Sequence, residues 1–534
     1  MPSQPYLLGY DLAGVEKLVE LEDVMHVAVF GYPGTGKSTF LLNLIVQHIK
    51  RGEGFMVVDP HGDLASSVLT HIPQSSFEKL IYIDPLTAST HGRVVKFNLM
   101  KVYEELEKSV AARMFMDSLS KIYYEYWGPR LDRILLSALD VVLEQPKARL
   151  SDLYTVLVDD EARGSYLSNV RNPLTLCFWR KEFKKLPPDA VAAALTKVYR
   201  LIQEKPIARL FDCYESTVDL REAIDGGYWV VVNLAEGRCS SDVAAFIGSM
   251  LLAHAYFASI SRRSTKPFYI YVDEAYKFAT LSMQDILQGL RKYKVYMRMA
   301  AHYLEQYQEE IARAIPHLCD TVVCFRVGKN TAELLEPLYQ PQVNKQILMS
   351  LPDYVCAVSY KACGKKASMV LKTVHVKEGA TSLEQAIAKS LEKWGGAPEL
   401  IEIQAPAKPP MGAAKRGAED IRVAVLEDLV AKLAAHVNKL EEKISCIEQA
   451  MRAESHAQTP AVEEASLEEV KALLESGWKP IIRYRYGREV VYMRRTTSEK
   501  REERYIGVLT PKIAELIEKH RQAKTRSNTT CPTP

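Results

Sequence analysis

The stretch GYPGTGKST, Gly31 to Thr39, constrains this chain more than any other. It fits G-x-x-x-x-G-K-[ST], a loop whose glycines let consecutive backbone N–H groups turn inward on a polyphosphate. Gly31, Gly34 and Gly36 supply that freedom, and Thr35 and Thr39 complete the cradle. Lys37 brings a positive charge to the β/γ oxygens, and the Ser38 hydroxyl is of the type that ligates Mg²⁺. The run His26–Phe30 before the loop reads as a buried strand, and Phe40–Val46 after it as the apolar face of a helix. Strand, glycine loop and helix start form an anion site, because the helix dipole adds to the inward N–H groups.

A triphosphate site of this kind needs a second strand that ends in an acid. Phe268–Val272 supplies five β-favouring residues and leads directly to Asp273 and Glu274. Asp273 is expected in the Mg²⁺ shell and Glu274 as the base that polarises the attacking water. The competing explanation is an ordinary strand end with solvated acids.

Other runs have the same buried character: Gly54–Asp59, Leu80–Asp84, Tyr228–Asn233, Val295–Ala301 and Thr321–Arg326. Continuous apolar runs alternating with helices predict a mostly parallel sheet covered on both faces. Ligands gather at the carboxyl ends of such strands, where Asp59, Asp273, Glu274 and His302 fall. Between about 99 and 222 the β pattern gives way to amphipathic helices broken at Gly128–Pro129, Pro146, Pro173, Pro187–Pro188 and Pro206. The predicted fold is therefore α/β: a P-loop core in two pieces, 1–98 and 223–378, with an all-α insertion at 99–222.

A linker at 379–420 follows, rich in Pro and Ala over Gln404–Ala413. At 421–455 Val423, Val430, Val437, Ile444 and Met451 recur every seven residues, with Leu426, Leu433, Leu440 and Ile447 three residues after the first four. That seam predicts a parallel two-stranded coiled coil, with itself or with another chain; a single amphipathic helix is the simpler alternative. The last segment, 466–526, reads as a small α+β domain with a hairpin around Gly487. From Lys479 to Arg526 it carries 14 basic and 6 acidic residues, although the whole chain has a net charge of only +3. Arg483, Arg485, Arg494 and Arg495, interleaved with tyrosines, are candidate nucleic-acid contacts through phosphate pairing and base stacking. A solvated basic face is the competing reading.

Nine cysteines with no C-x-x-C pair favour reduced thiols and a cytoplasmic setting. The apolar Val243–Ile260 segment contains Ser249, His254 and Ser259, which favours a core helix over a membrane span. No transmembrane segment is expected.

With these motifs in hand, the chain resembles the FtsK–HerA superfamily. GYPGTGKST, Val57–Ala65 (VVDPHGDLA), Trp127–Leu135 (WGPRLDRIL), Phe268–Thr280 (FYIYVDEAYKFAT), Leu290–Gln306 (LRKYKVYMRMAAHYLEQ) and Phe325–Gly328 (FRVG) carry the likeness. It is nearest the coupling-protein-like ATPases of type IV secretion and conjugation, and it covers about residues 20–375. The resemblance implies a RecA-like core, ATP with Mg²⁺, a hexameric ring and DNA as the translocated substrate. It places phosphate and metal on Lys37, Ser38 and Asp273, and the catalytic base on Glu274. His302 occupies a sensor position that is usually Gln in the family. An arginine finger from a neighbouring subunit is implied, with Arg326 the first candidate and Arg291 the second; a structural ion pair would explain either equally. Other partners it suggests are a membrane complex or a nuclease. Two alternatives remain open: an ATPase that energises protein secretion or pilus assembly, and a nucleotide-gated DNA-binding adaptor.

Overall fold

The computed structural model describes residues 5–19, 25–103, 106–123, 127–234, 236–280, 283–362 and 365–398, and in the C-terminal part 467–476, 478–485, 488–496, 501–508, 513–515 and 517–518. The heptad seam and the Pro/Ala-rich stretch Gln404–Ala413 lie outside the described residues; earlier in the span read as linker, Leu383–Trp394 is a helix whose Ser390 hydroxyl donates to the Leu80 carbonyl at 3.1 Å and accepts from the Tyr82 N–H at 2.7 Å. The chain divides into two compact units, Met1–Ala407 and Lys408–Pro534.

The first unit is built on an 11-stranded sheet. Its strands are β1 (Tyr6–Tyr10), β2 (Glu16–Val19), β3 (Val27–Phe30), β4 (Gly54–Asp59), β5 (Leu80–Ile83), β6 (Trp229–Asn233), β7 (Phe268–Val272), β8 (Val295–Ala301), β9 (Thr321–Cys324), β10 (Val355–Ala362) and β11 (Lys365–Thr373). Across the sheet the order is β2-β1-β11-β10-β9-β3-β8-β7-β4-β6-β5. Neighbours from β9 to β5 pair in parallel. The β2-β1-β11-β10 flank is antiparallel and joins the rest through an antiparallel β10–β9 pair.

The parallel strands are apolar on consecutive residues because both of their faces are covered. Val27 and Val29 of β3 face the same core as Phe40, Leu41 and Leu44 of the Lys37–Arg51 helix. Ala28 and Phe30 face the opposite core, which holds Phe246 and Ile247 of the Ser241–Ile260 helix. That 20-residue helix is apolar and long enough to cross a membrane, but 83% of its apolar window is buried inside the fold, so it serves as a core helix here.

A charged side chain in the middle of β8 breaks the apolar pattern. Arg298 of β8 is fully buried, and its guanidinium donates to the Tyr271 hydroxyl at 2.6 Å and meets His48 Nε2 at 2.9 Å. Burial drives His48 down to about 3, so it is neutral. It can then accept from Arg298 at Nε2 and donate from Nδ1 to Glu53, 2.6 Å away. A buried cation without such partners would be costly. This chain of bonds fixes the helix that follows the glycine loop to β7 and β8.

Helices fill the segment between β5 and β6, including Lys108–Ile122, Pro129–Leu143 and Pro188–Gln203. Pro129, Pro173, Pro188 and Pro206 each sit in the first turn of a helix, where a missing N–H costs nothing.

In the second unit the helix Leu467–Glu475 accompanies an antiparallel sheet of β12 (Lys479–Arg485), β13 (Arg488–Thr496) and β14 (Arg501–Val508). Val470, Leu474, Val491, Met493, Ile513 and Ile517 form its core. Lys479 pairs with Arg494, Arg483 with Val490 and Arg485 with Arg488. Strand alternation then gives positions 483, 485, 488 and 494 one face of the sheet. Arg495 belongs to the other face, with buried Val491 and Met493, and so stands apart from the three arginines grouped with it in the sequence.

Candidate nucleotide site

The glycine loop joins β3 to the Lys37–Arg51 helix at the carboxyl edge of the parallel strands. Gly36, at φ 115°, caps that helix in a conformation side chains rarely adopt. A Cβ on Gly31 would lie 2.6 Å from Cβ of Phe325 and 2.8 Å from Oγ1 of Thr35, so the loop leaves no room for a larger residue there.

Parallel pairing of β3 with β8, and of β8 with β7, carries distant residues to this loop. The Ser38 hydroxyl donates to Asp273 Oδ2 at 3.1 Å. Lys37 Nζ donates to the carbonyls of Gly31 at 2.9 Å and Tyr32 at 3.2 Å, and lies 3.1 Å from His302 Nδ1. His302 Nε2 in turn lies 3.1 Å from Glu274 Oε1. An ammonium only donates, so Nδ1 of His302 must accept and its proton sits on Nε2, facing the carboxylate. Burial and the charge of Lys37 lower the His302 pKa, which agrees with a neutral ring. The backbone N–H groups of His302 and Tyr303 both donate to Gln306 Oε1, fixing the turn that presents the imidazole.

Asp273 and Glu274 are both buried. Burial and the nearby Asp59 raise the Asp273 pKa. Glu274 sits at φ 46°, and its N–H donates to Asp273 Oδ1 at 3.0 Å. Left-handed backbone at a non-glycine residue stores strain and is concentrated at functional sites. Burial, followed by the Asp273 charge, pushes the Glu274 pKa up to about 7. Its Oε2 is buried with no hydrogen-bond partner among the described residues. Asp59, at the end of β4, spends its carboxylate on the N–H groups of His61 and Ala65, which is a turn-forming role.

These residues suit a magnesium–triphosphate. The ammonium of Lys37 stands at the glycine loop, the Ser38 hydroxyl and the Asp273 carboxylate stand together where they could hold a metal, and Glu274 Oε2 is unengaged among the described residues. The arginine-finger candidates are placed differently. Arg326 pairs with Asp353 at 2.8 Å and Arg291 with Asp320 at 3.2 Å, so each has a carboxylate within its own chain.

Sequence reasoning missed Lys121. It reaches from the Lys108–Ile122 helix of the insertion to the loop just after Glu274, where Nζ donates to the carbonyls of Tyr276 (2.9 Å), Lys277 (2.6 Å) and Ala279 (2.8 Å). Burial lowers its pKa to about 8. No motif surrounds it; a single lysine on an amphipathic helix carries no sign of what it will touch.

Residues 13–254 match the family model described as the central domain of helicase HerA. Over that span the chain is similar to the HerA central domain. Among curated protein sequences nothing matches. Solved structures share the fold of the first unit at low identity. The bacterial conjugative coupling protein TrwBdeltaN70 aligns at 15% identity over 70% of this chain and 90% of its own, with a TM-score of 0.50. The plasmid coupling protein TrwB in complex with the ATP analogue ADPNP aligns at 15% over the same shares, with a TM-score of 0.51. VirB4 of Thermoanaerobacter pseudethanolicus aligns at 13% over 70% of this chain and 97% of its own, with a TM-score of 0.53.

Proposed function

We propose that this chain is an ATP- and Mg²⁺-dependent motor that translocates DNA, working as a cytoplasmic homo-oligomeric ring. The observation that carries the reading is the meeting of Lys37 and Ser38 with Asp273 and Glu274, residues more than two hundred positions apart. In this reading Ser38 and Asp273 would hold Mg²⁺, which when bound would supply charge neutralisation for phosphoryl transfer. Lys37 binds the phosphates, Glu274 takes the proton of the attacking water, and His302 orients the Glu274 carboxylate. Arg326 or Arg291 would serve a neighbouring subunit's site only after leaving its own carboxylate.

DNA as the substrate is supported by the likeness to conjugative coupling proteins and by the basic register positions of the C-terminal sheet. ATP hydrolysis by the full chain should accelerate on adding linear duplex or single-stranded DNA. A rate that is the same with and without DNA would move the substrate from nucleic acid to protein.

The C-terminal sheet gives a separate prediction. Replacing Arg483, Arg485 and Arg494 together by Gln should weaken DNA binding and flatten its salt dependence, by about 0.9 in the log–log slope for each phosphate that is no longer neutralised. An Arg495→Gln variant, altered on the opposite face, should change neither. Equal slopes for the triple variant and the parent would remove this sheet from the DNA path.

A further inference from the structure

Tyr354 stands at the turn before β10, and nothing in the motifs assigns it a role. It has three unusual properties. Its backbone is left-handed, at φ 62°, a region where a bulky residue is an outlier. Its surface is 50% exposed although it is a large aromatic. It is also tied to the glycine loop, where its N–H donates to the Thr35 carbonyl at 2.8 Å, and to β11, whose Thr373 N–H donates to its carbonyl at 2.8 Å. The ring lies against Gly36, where a Cβ would come within 3.1 Å of Tyr354 Cδ1.

The strand order gives this position meaning. Around the loop strand the sequence of neighbours is β10-β9-β3-β8-β7. Glu274 follows β7 and His302 follows β8, so the end of the site that meets a γ-phosphate lies on that flank. A P-loop backbone cradles the α/β-phosphates while its lysine reaches the β/γ-phosphates. The nucleoside must then leave on the other flank, past β9 and β10. Tyr354 is an exposed ring on that flank, more exposed than Tyr32 of the loop itself, and is held by one backbone hydrogen bond to the loop, one to β11 and a strained φ. Aromatic faces stack on bases whatever the base edge carries.

We infer that Tyr354 is the platform on which the base of the bound nucleoside triphosphate stacks. This rests on the reading of the glycine loop as a triphosphate site. Binding of ATP and of inorganic tripolyphosphate to the full chain tests the two separately. Tyr354→Gly keeps the left-handed backbone and removes the ring; Tyr354→Phe keeps the ring. The Gly variant should bind ATP about ten- to a hundredfold more weakly. Its tripolyphosphate affinity and its turnover at saturating ATP should match the parent, and the Phe variant should match the parent throughout. Parent-like ATP affinity in Tyr354→Gly would overturn the inference. So would a proportional loss of tripolyphosphate binding, which would make Tyr354 a shaper of the loop. A parent protein that bound neither ligand would instead overturn the triphosphate reading itself.

Discussion

Glu274→Gln should leave ATP binding intact and slow turnover about a thousandfold, within the range that a positioned general base contributes. Glutamine keeps the shape of the side chain and can still meet His302, so the glycine loop and the Ser38–Asp273 contact should survive. It cannot take a proton. Nucleotide affinity and single-turnover hydrolysis, measured on the same preparation, separate the two effects. Turnover within a few fold of the parent would remove Glu274 from the chemistry. The parent should also show a pH signature. Burial and Asp273 raise the Glu274 pKa to about 7, so the protonated, incompetent form dominates below that pH. Since kcat/KM reports the free enzyme, it should rise about tenfold per pH unit below 7 and level off above it. A flat profile from pH 5.5 to 8 would contradict the raised carboxyl.

The second large effect is expected at Lys121. Lys121→Met retains the stem that fills the space between the insertion and the core, but leaves the carbonyls of Tyr276, Lys277 and Ala279 without their donor. Stranding buried acceptors costs about 1–3 kcal/mol for each group water cannot reach, so a loss of about 3 kcal/mol is expected where water reaches part of the loop. The loop follows Glu274 directly, so activity should suffer along with stability. Denaturant unfolding and kcat of the variant check both. An unchanged midpoint with unchanged kcat would show that the three bonds contribute nothing. Loss of stability with full kcat would confine Lys121 to folding.

Legibility of the fold from sequence followed chemistry closely. The strands β3 to β9 could be read because each is buried on both faces, and double burial writes an unbroken apolar run. The antiparallel flank could not. Glu16–Val19 of β2 is mostly exposed, and β10 and β11 place serines and lysines among apolar residues. The triphosphate site was legible because its parts carry fixed residue types at fixed spacing, Lys37 beside Ser38 and Asp273 beside Glu274. What no spacing encodes is a contact made through space by one side chain. Lys121 and Tyr354 owe their positions to the sheet order and to the packing of the insertion. The His302 tautomer belongs to the same class, since it follows from Lys37 standing 3.1 Å from Nδ1.

The placement of β3 bears on how the molecule comes into being. Val27 pairs on one side with Arg298 and on the other with Thr321. During synthesis the glycine loop leaves the ribosome with neither neighbour available. At ordinary elongation rates roughly half a minute passes before both have been made. Until then its apolar strand has no sheet to enter, and closing so long a chain segment is slow. The nascent chain therefore carries an unfinished ATP site throughout that interval, and β3 waits for β9, made nearly three hundred residues later.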